Sequence, residues 1–255
     1  MGSIKYFKFT SLEKTGLLHA LFLRHGGFSP TPWKSLNFGA SVGDDPGRVK
    51  QNKEKALESL NINLLSVYDV YQVHSTEIVS TKAPLEKGEA HRKADGIITN
   101  QSQVTLLMRF ADCVPILLFD PVKKVICMAH AGWAGTVSKI GDKAVRMMKE
   151  QYGSQPSDIL AGIGPSIGPD HYLVGNDVIE RVKLNFEVDA DELISEKDGK
   201  YTFDLWKTNQ LILNKAGVKQ VEVAGICTQC HVDDWYSHRA ESGKTGRYGA
   251  IMRLA

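Results

Sequence analysis

Short apolar runs separated by polar turns dominate the middle of the chain. Apolar residues over 104–108, 114–119 and 125–128 predict three buried strands. The pairs Asp120-Pro121 and Lys123-Lys124 predict a turn between the last two of these strands. Other apolar segments predict further strands at residues 16–24, 70–79, 159–163, 221–226 and 248–254. His74 falls within or at the end of the 70–79 segment.

Apolar residues at helical spacing predict a helix over residues 136–151. Asp45 followed by Pro46 is typical of a helix N-terminus, so we expect a helix from there to about residue 60. Further helices are predicted over residues 176–185 and 205–216. Because strands and helices mix without a strict βαβ rhythm, we predict a mixed α/β (α+β) fold with mixed β-sheets flanked by helices. We expect one domain over residues 1–255.

Composition and charge change this picture little. A hydrophobic share of 42% over 255 residues is enough for one sizeable core. The net charge of +2 indicates no general affinity for nucleic acid or membrane. No apolar run approaches the ~20 residues of a membrane helix, and the start lacks a signal-peptide pattern, so we expect a cytoplasmic protein. In that compartment the four cysteines favour metal binding, catalysis or burial over disulfides.

Three short segments place a metal-capable side chain at the edge of an apolar strand. They are Gln72-Val-His74-Ser, Ala111-Asp-Cys113-Val-Pro and Ala129-His130-Ala-Gly-Trp. Two imidazoles and a thiolate form a suitable three-ligand zinc site with a fourth position open for water or substrate. Zinc in such a site activates water near neutral pH. From the residues alone, a buried cysteine and ordinary core or surface histidines remain the alternative.

Many ordered blocks resemble one bacterial family. These blocks are Arg24-His-Gly-Gly-Phe-Ser, Ser35-Leu-Asn-Phe-Gly, Val42-Gly-Asp-Asp-Pro, Gln72-Val-His, Ala94-Asp-Gly, Ala111-Asp-Cys-Val-Pro, Ala129-His-Ala-Gly-Trp, Gly164-Pro-Ser-Ile-Gly, Cys227-Thr, Tyr236-Ser-His-Arg and Thr245-Gly-Arg. The family was long described as laccase-domain or multicopper polyphenol oxidoreductases, and it is now regarded as purine nucleoside phosphorylases. The resemblance runs nearly from end to end.

The resemblance implies both a metal site and a reaction. His74, Cys113 and His130 match the family's zinc ligands. The implied activities are phosphorolysis of adenosine, inosine, guanosine and methylthioadenosine, together with adenosine deamination, so the expected partners are a purine nucleoside and phosphate. Two positions depart from the family pattern, because Ala134 stands where arginine is usual and Leu173 where glutamate is usual. We expect these departures to affect substrate preference more than metal binding.

Phosphorolysis requires phosphate to be held against the ribose, and arginine recognises phosphate through paired hydrogen bonds. The candidate arginines are Arg24, Arg48, Arg239 and Arg247. Each could instead be an ordinary surface residue. Asn37 and Gln72 are candidates to bind ribose or base, with turn or cap roles as the alternative. Asp112 could orient a metal ligand or act as an acid or base, or could bond to backbone at a strand end.

Several other patterns do not carry a function on their own. A multicopper oxidase needs several His-x-His pairs, whereas the eight histidines here form none. One copper of the blue type remains compatible with two histidines and a cysteine. The segment Cys227-Thr-Gln-Cys230-His231 fits the haem-attachment pattern. That attachment usually requires export, so structural or pocket-lining cysteines are favoured.

Three alternatives to the zinc phosphorylase remain open. The first is a metal-free hydrolase of the kind that edits peptidoglycan precursors, with Cys113 as nucleophile and His130 as its base. The second is a regulatory protein that binds a metal or ligand without turnover. The third is a single-copper polyphenol oxidase. Dependence of activity on a metal separates the first alternative from the leading hypothesis.

Overall fold

A computed structural model describes residues 3–255 of the chain. Its strands in this range are β1 (Tyr6–Phe7), β2 (Leu18–Phe22), β3 (Val67–Asp69), β4 (Ile78–Ser80), β5 (Gly96–Thr99), β6 (Thr105–Phe110), β7 (Val114–Asp120), β8 (Val125–Ala131), β9 (Leu160–Ile163), β10 (Leu173–Val174), β11 (Ile194–Lys197), β12 (Lys200–Phe203), β13 (Gln220–Val223) and β14 (Tyr248–Arg253). Its α-helices are α1 (Thr10–Glu13), α2 (Pro46–Glu58), α3 (Trp133–Val137), α4 (Ile140–Tyr152), α5 (Asn176–Phe186), α6 (Ala190–Leu193) and α7 (Leu205–Lys215).

Two large mixed sheets and one small sheet are formed by the described residues. The five-stranded sheet has the order β1-β2-β14-β6-β3, and the six-stranded sheet has the order β13-β9-β7-β8-β5-β4. Both contain parallel and antiparallel neighbours: β3 runs parallel to β6, while β7 and β8 are antiparallel. The small antiparallel sheet has the order β10-β12-β11. The predicted mixed α/β class is confirmed.

The two large sheets pack face to face, with helices on their outer faces. Side chains alternate along each strand, so β6 sends Met108 into the core between the sheets and Leu107 to the outer face. On β7, Leu117 faces inward, whereas Leu118 packs outward with helix α4 residues such as Met148. Helix α2 covers the outer face of the five-stranded sheet. A cavity lies where strand ends and connecting loops meet.

Local sequence signals account for several boundaries that were predicted correctly. The Asp45 carboxylate accepts a hydrogen bond from the Arg48 backbone amide at 2.8 Å, which caps helix α2 as the sequence indicates. Asp120 accepts backbone hydrogen bonds from Val122 and Lys123 at 2.8 and 2.9 Å. This bonding closes the predicted turn between β7 and β8.

The predicted strand over residues 70–79 is wrong. Strands β3 and β4 flank a loop there, and His74 has a φ of 60° that no strand permits. The Asp95 carboxylate accepts the backbone amides of Val73, His74 and Ser75 at 3.2, 3.0 and 2.6 Å. Because these amides bond to a side chain, they are not available to a strand ladder.

Other boundaries also differ from the prediction. The helix predicted over residues 136–151 is broken into α3 and α4 at Lys139, which has a φ of 58°. The strand predicted over residues 221–226 ends at Val223, shortly before Gly225 with its φ of 63°. Strand β5 and the small sheet were not predicted. No α-helix among residues 3–255 is long and apolar enough to cross a membrane.

Candidate metal centre and active site

A cavity of about 610 Å³ opens at the ends of the central strands. This volume is within the range of about 300–1,000 Å³ that small-molecule sites usually have. Of the residues proposed from the sequence, those lining it are His74, Cys113, His130, Asp112, Gln72, Arg239 and Arg247. The structure therefore brings the three metal-capable residues and two of the four arginines into one cavity.

Two of the metal-capable side chains lie at strand ends, and the third lies in a loop. His130 lies near the end of β8, where it pairs with Pro115 of β7 and its ring lies 5.5 Å from that of Phe110. Cys113 directly precedes β7 and follows Asp112, whose φ is 78°. His74 lies in the loop between β3 and β4. The two strand ends are fixed by the sheet, and only His74 depends on loop geometry.

The buried carboxylate of Asp95 joins these parts. One oxygen lies 2.9 Å from Nδ1 of His130 and 3.0 Å from the His74 backbone amide that donates to it. The other oxygen accepts from the backbone amide and hydroxyl of Ser75. Asp95 therefore orients one imidazole and holds the loop that carries the other. Asp95 belongs to the family block Ala94-Asp-Gly, but the sequence does not indicate its role, because its partners are distant in sequence.

The ligand atoms fit a metal ion. One nitrogen or sulfur from each of His74, Cys113 and His130 lies within 4.8 Å of the others. The Cys113 Sγ and His74 Nε2 atoms are 3.9 Å apart. Tetrahedral zinc would place a nitrogen and a sulfur ligand roughly 3.5 Å apart, so a small inward movement suffices. When His130 donates from Nδ1 to Asp95, its Nε2 is left free for a metal.

The thiol and imidazole also alter each other's ionisation. Burial disfavours the charged form of Cys113, but the charge of His130 and hydrogen bonds from His130 and His74 lower the pKa of Cys113 to about 6. Burial likewise disfavours charged His130, but the Cys113 thiolate and Asp95 raise the pKa of His130 to about 9. The thiolate form that favours both metal ligation and nucleophilic attack is therefore accessible at neutral pH.

Asp112 is fully engaged in positioning. Its two carboxylate oxygens accept hydrogen bonds from the Thr228 hydroxyl at 2.7 Å and the Arg239 backbone amide at 2.6 Å. It therefore ties two C-terminal loops to the residue next to Cys113. These bonds favour the orienting role over the acid/base role among the alternatives raised by the sequence.

Two arginines face the cavity without a carboxylate partner within salt-bridge distance among residues 3–255. The guanidinium of Arg239 donates to the Leu173 backbone carbonyl at 3.0 Å and lies 5.3 Å from the centre of the Tyr172 ring. Arg247 donates to the Gly246 carbonyl at 2.9 Å. Leucine in place of the usual glutamate at position 173 does not prevent this hydrogen bond, because Arg239 donates to the backbone carbonyl of Leu173. Ala134, the other departure, is not among the cavity-lining residues.

A second group of basic side chains lines the cavity and was not predicted. Lys53, His91 and Arg109 surround the buried carboxylate of Asp69 at 3.5, 2.6 and 2.8 Å. Arg109 was detectable as a single charged residue within the apolar run of β6. Gln72 lies beside it and exchanges two hydrogen bonds with the Arg109 backbone at 2.8 and 2.9 Å.

Three residues predicted from the sequence to bind substrate do not line this cavity. Arg24 donates to backbone carbonyls and to Glu241 and lies 4.3 Å from the centre of the Tyr236 ring. Arg48 lies on helix α2, and its side chain is 3.5 Å from a carboxylate oxygen of Asp44. Asn37 is buried, and its side-chain oxygen accepts the Arg247 backbone amide at 2.8 Å. Asn37 therefore holds the backbone of Arg247, a cavity residue.

The fold and the site define an α/β protein with a His-Cys-His candidate metal centre in a cavity of small-molecule size. Comparison with known proteins gives the family. The chain belongs to the multi-copper polyphenol oxidoreductase laccase family, which it matches over residues 18–255. The family resemblance inferred from the sequence is thereby confirmed.

Several similar proteins carry a different description. The chain is 39% identical to purine nucleoside phosphorylase YlmD of Bacillus subtilis, covering 91% of this chain and 86% of that protein. It is 35% identical to a purine nucleoside phosphorylase of Deinococcus radiodurans, covering 92% and 88%. Among solved structures, YfiH of Bacillus licheniformis superposes with a TM-score of 0.90 at 32% identity, covering 95% of this chain and 94% of that one.

Proposed function

We propose that this protein is a zinc-dependent purine nucleoside phosphorylase that also deaminates adenosine. The expected substrates are phosphate with adenosine, inosine, guanosine or methylthioadenosine. The observation that carries the proposal is the single cavity that combines the His74–Cys113–His130 cluster with Arg239 and Arg247. The names of the relatives at 35–39% identity supply the reaction class.

The cavity walls suit a nucleoside. Trp133 and Tyr172 offer aromatic surface, and Ile167 and Leu205 add apolar surface. Aromatic side chains bind planar rings through offset or edge contacts, which favours a purine base. Polar and charged side chains line the rest of the cavity, where they can fix the orientation of a bound molecule.

Phosphate would bind between the unpaired arginines. Their guanidinium groups supply several N–H donors to one phosphate, and no carboxylate in the described chain competes within salt-bridge distance. Held in this way, a phosphate oxygen attacks the anomeric carbon of the ribose. The bond from that carbon to the purine nitrogen breaks, and the base departs with the bonding electrons.

His74, Cys113 and His130 would hold the zinc ion, with Asp95 fixing the His130 ring. Zinc bound there would supply Lewis-acid chemistry and activate water for deamination. The chain's own contribution is to keep the thiol ionised, to present Nε2 of His130, and to enclose the reacting atoms. Metal analysis of the purified protein distinguishes zinc from copper, which the same ligand types also bind.

A chromatographic product assay tests this function. Protein loaded with zinc is incubated with adenosine or inosine, with and without phosphate. We expect adenine or hypoxanthine only with phosphate, and inosine from adenosine in either condition. Cys113→Ala abolishes both reactions, while Cys127→Ala, a buried cysteine outside the cavity, retains them. Base release that does not require phosphate would contradict the phosphorylase assignment.

The same geometry supports a second candidate. Cys113, His130 and Asp95 are arranged as nucleophile, base and orienting carboxylate, and the low pKa of Cys113 favours a thiolate. A hydrolase of this type would form a thioester with an acyl substrate and would need no metal. A chelator would then leave activity intact, whereas it would abolish the phosphorylase.

A further inference from the structure

A second cluster of metal-capable side chains lies apart from the cavity. It comprises His171, Cys227 and Cys230, none of which lines the cavity. His171 is in the loop before β10, and the two cysteines are in the loop after β13. The cysteines belong to the Cys-x-x-Cys-His segment that the proposed function does not use.

The spacing of the cluster matches zinc. The Nδ1 atom of His171 lies 3.6 Å from Sγ of Cys230 and 3.8 Å from Sγ of Cys227. Zinc–sulfur bonds of about 2.3 Å and zinc–nitrogen bonds of about 2.0 Å at a tetrahedral angle separate these atoms by roughly 3.5 Å. The three atoms therefore stand close to ligand positions before any rearrangement.

The surroundings supply further groups suited to a metal. An oxygen of Asp170 lies 3.0 Å from Nδ1 of His171, where it can take the fourth position. The Gly168 backbone amide donates to Sγ of Cys227 at 3.2 Å, which fixes the position of the sulfur. A Cβ at Gly168 would lie 2.9 Å from that Asp170 oxygen and 3.2 Å from Sγ of Cys227. The absence of a side chain there keeps the space between carboxylate and sulfur open.

We propose that His171, Cys227 and Cys230, with the Asp170 carboxylate as fourth ligand, form a second, structural zinc site. Two thiolates and an imidazole are ligands that zinc prefers, and four protein ligands give a closed site. On binding, the two thiols release their protons to solvent. His231 is not part of the cluster, and its Nδ1 atom lies 3.0 Å from the Cys227 backbone carbonyl.

This site would connect two loops that shape the catalytic cavity. The loop of His171 continues into Tyr172, a cavity residue. The loop of Cys227 continues into Thr228, whose hydroxyl donates to Asp112 beside Cys113. Zinc bridging the loops would therefore hold both around the candidate active site, and it would stabilise the folded protein because the unfolded chain has no preformed site.

Zinc content of purified protein tests the proposal without reference to activity. After exposure to zinc and removal of free metal under reducing conditions, we expect about two zinc ions per chain in the wild type if both sites have the ligands of a zinc site. Cys230→Ser and Cys113→Ala should each lose about one, and the double variant nearly both. Cys127→Ala and His231→Asn serve as controls that keep the wild-type content.

The variants also separate the two metal sites. Cobalt substituted for zinc should show thiolate-to-cobalt absorption that loses its two-thiolate component in Cys230→Ser and not in Cys113→Ala. If Cys113→Ala kept all its metal while Cys230→Ser lost one ion, the first site would fail and the second would stand. Full metal content in Cys230→Ser, or a Cys227–Cys230 disulfide in protein purified without oxygen, would overturn the second site.

Discussion

At the residue scale, the candidate site depends on side chains whose partners are far away in sequence. The Cys113 thiol and the His130 imidazole stabilise each other's charge, and Asp95, which directly precedes the neighbouring strand β5, holds His130. The ligand types and their strand-end positions are visible in the sequence. Asp95 is not, because its role follows from pairing between β5 and β8.

Asp95→Asn is expected to weaken zinc binding about 10–100-fold, the usual effect of losing a group that orients a metal ligand. The amide cannot take the charge-assisted bond from His130 while also accepting all the amides of the 73–75 loop. Competition with a chelating dye measures the affinity. Asp120→Asn, at a buried turn carboxylate remote from the site, is the matched control. Equal zinc affinity in wild type and Asp95→Asn would refute the orienting role.

Arg247→Ala is expected to raise the phosphate KM by roughly 10–100-fold, because one charged hydrogen bond to phosphate contributes about 1.5–3 kcal/mol. The KM for inosine should change much less. Steady-state kinetics at varied phosphate measure both constants. Arg48→Ala removes an arginine outside the cavity and should leave them unchanged. A phosphate KM unaffected in Arg247→Ala would exclude that residue from the phosphate site.

Asp69 predicts a pH dependence of stability. Hydrogen bonding to His91 and the charges of Arg109 and Lys53 outweigh burial and lower the pKa of Asp69 well below its usual range. A lowered folded-state pKa stabilises the protein above the unfolded value of 3.8, and this stabilisation is lost as the pH falls below it. Asp69→Asn should cost about 3 kcal/mol at pH 7.

Denaturant unfolding from pH 7 to pH 3 checks this expectation. Below about pH 4 the wild type should lose unfolding free energy more steeply than Asp69→Asn, so the difference between them narrows. A difference that stays constant over this range would mean that Asp69 titrates as an ordinary carboxyl group.

At the element scale, helix α3 begins so close to the candidate metal centre that the residue before it has little room for a side chain. Gly132 precedes the helix, and a Cβ there would lie 3.0 Å from Sγ of Cys113 and 3.2 Å from Cδ2 of His74. The apolar pattern predicted a helix in this region but placed its start too late and missed the break at Lys139. The glycine's role depends on the ligands it faces, which helical periodicity does not reveal.

Gly132→Ala is expected to push apart the ligands and weaken zinc binding. Overpacking of this kind costs about 1–3 kcal/mol, which is roughly tenfold or more in affinity. Gly135→Ala is the matched control, because its Cβ would make ordinary contacts at 3.4 Å and beyond. Zinc titration of both variants checks the difference. Equal affinities would show that the site tolerates the methyl group.

Strands with continuous apolar runs were predictable, because full burial between two layers selects such runs. This holds for β6, β7 and β8. The loop over residues 70–77 was not predictable, because Val70, Tyr71 and Val73 are residue types typical of strands. The Asp95 carboxylate accepts the backbone amides of residues 73–75 instead. The small sheet also escaped prediction, since β11 is largely exposed and polar and β12 is a short strand with one buried residue, Phe203.

At the scale of the whole molecule, two packed sheets provide rigid strand ends, and loops from distant parts of the chain complete the cavity. The mixed class and the metal-capable residues were predictable from the sequence. The division between cavity-lining Arg239 and Arg247 and the remote Arg24 and Arg48 was not. It depends on how the C-terminal segment folds back against Asp112 and Asn37.

The measurement that tests the central claim most directly is inosine phosphorolysis as zinc is returned to metal-free protein. Using Cys230→Ser confines the titration to the His74–Cys113–His130 site. The account predicts no hypoxanthine release without metal and a rate that rises in proportion to zinc bound, up to about one ion per chain. Full activity of the metal-free protein, or zinc binding without any phosphate-dependent release of base, would contradict it.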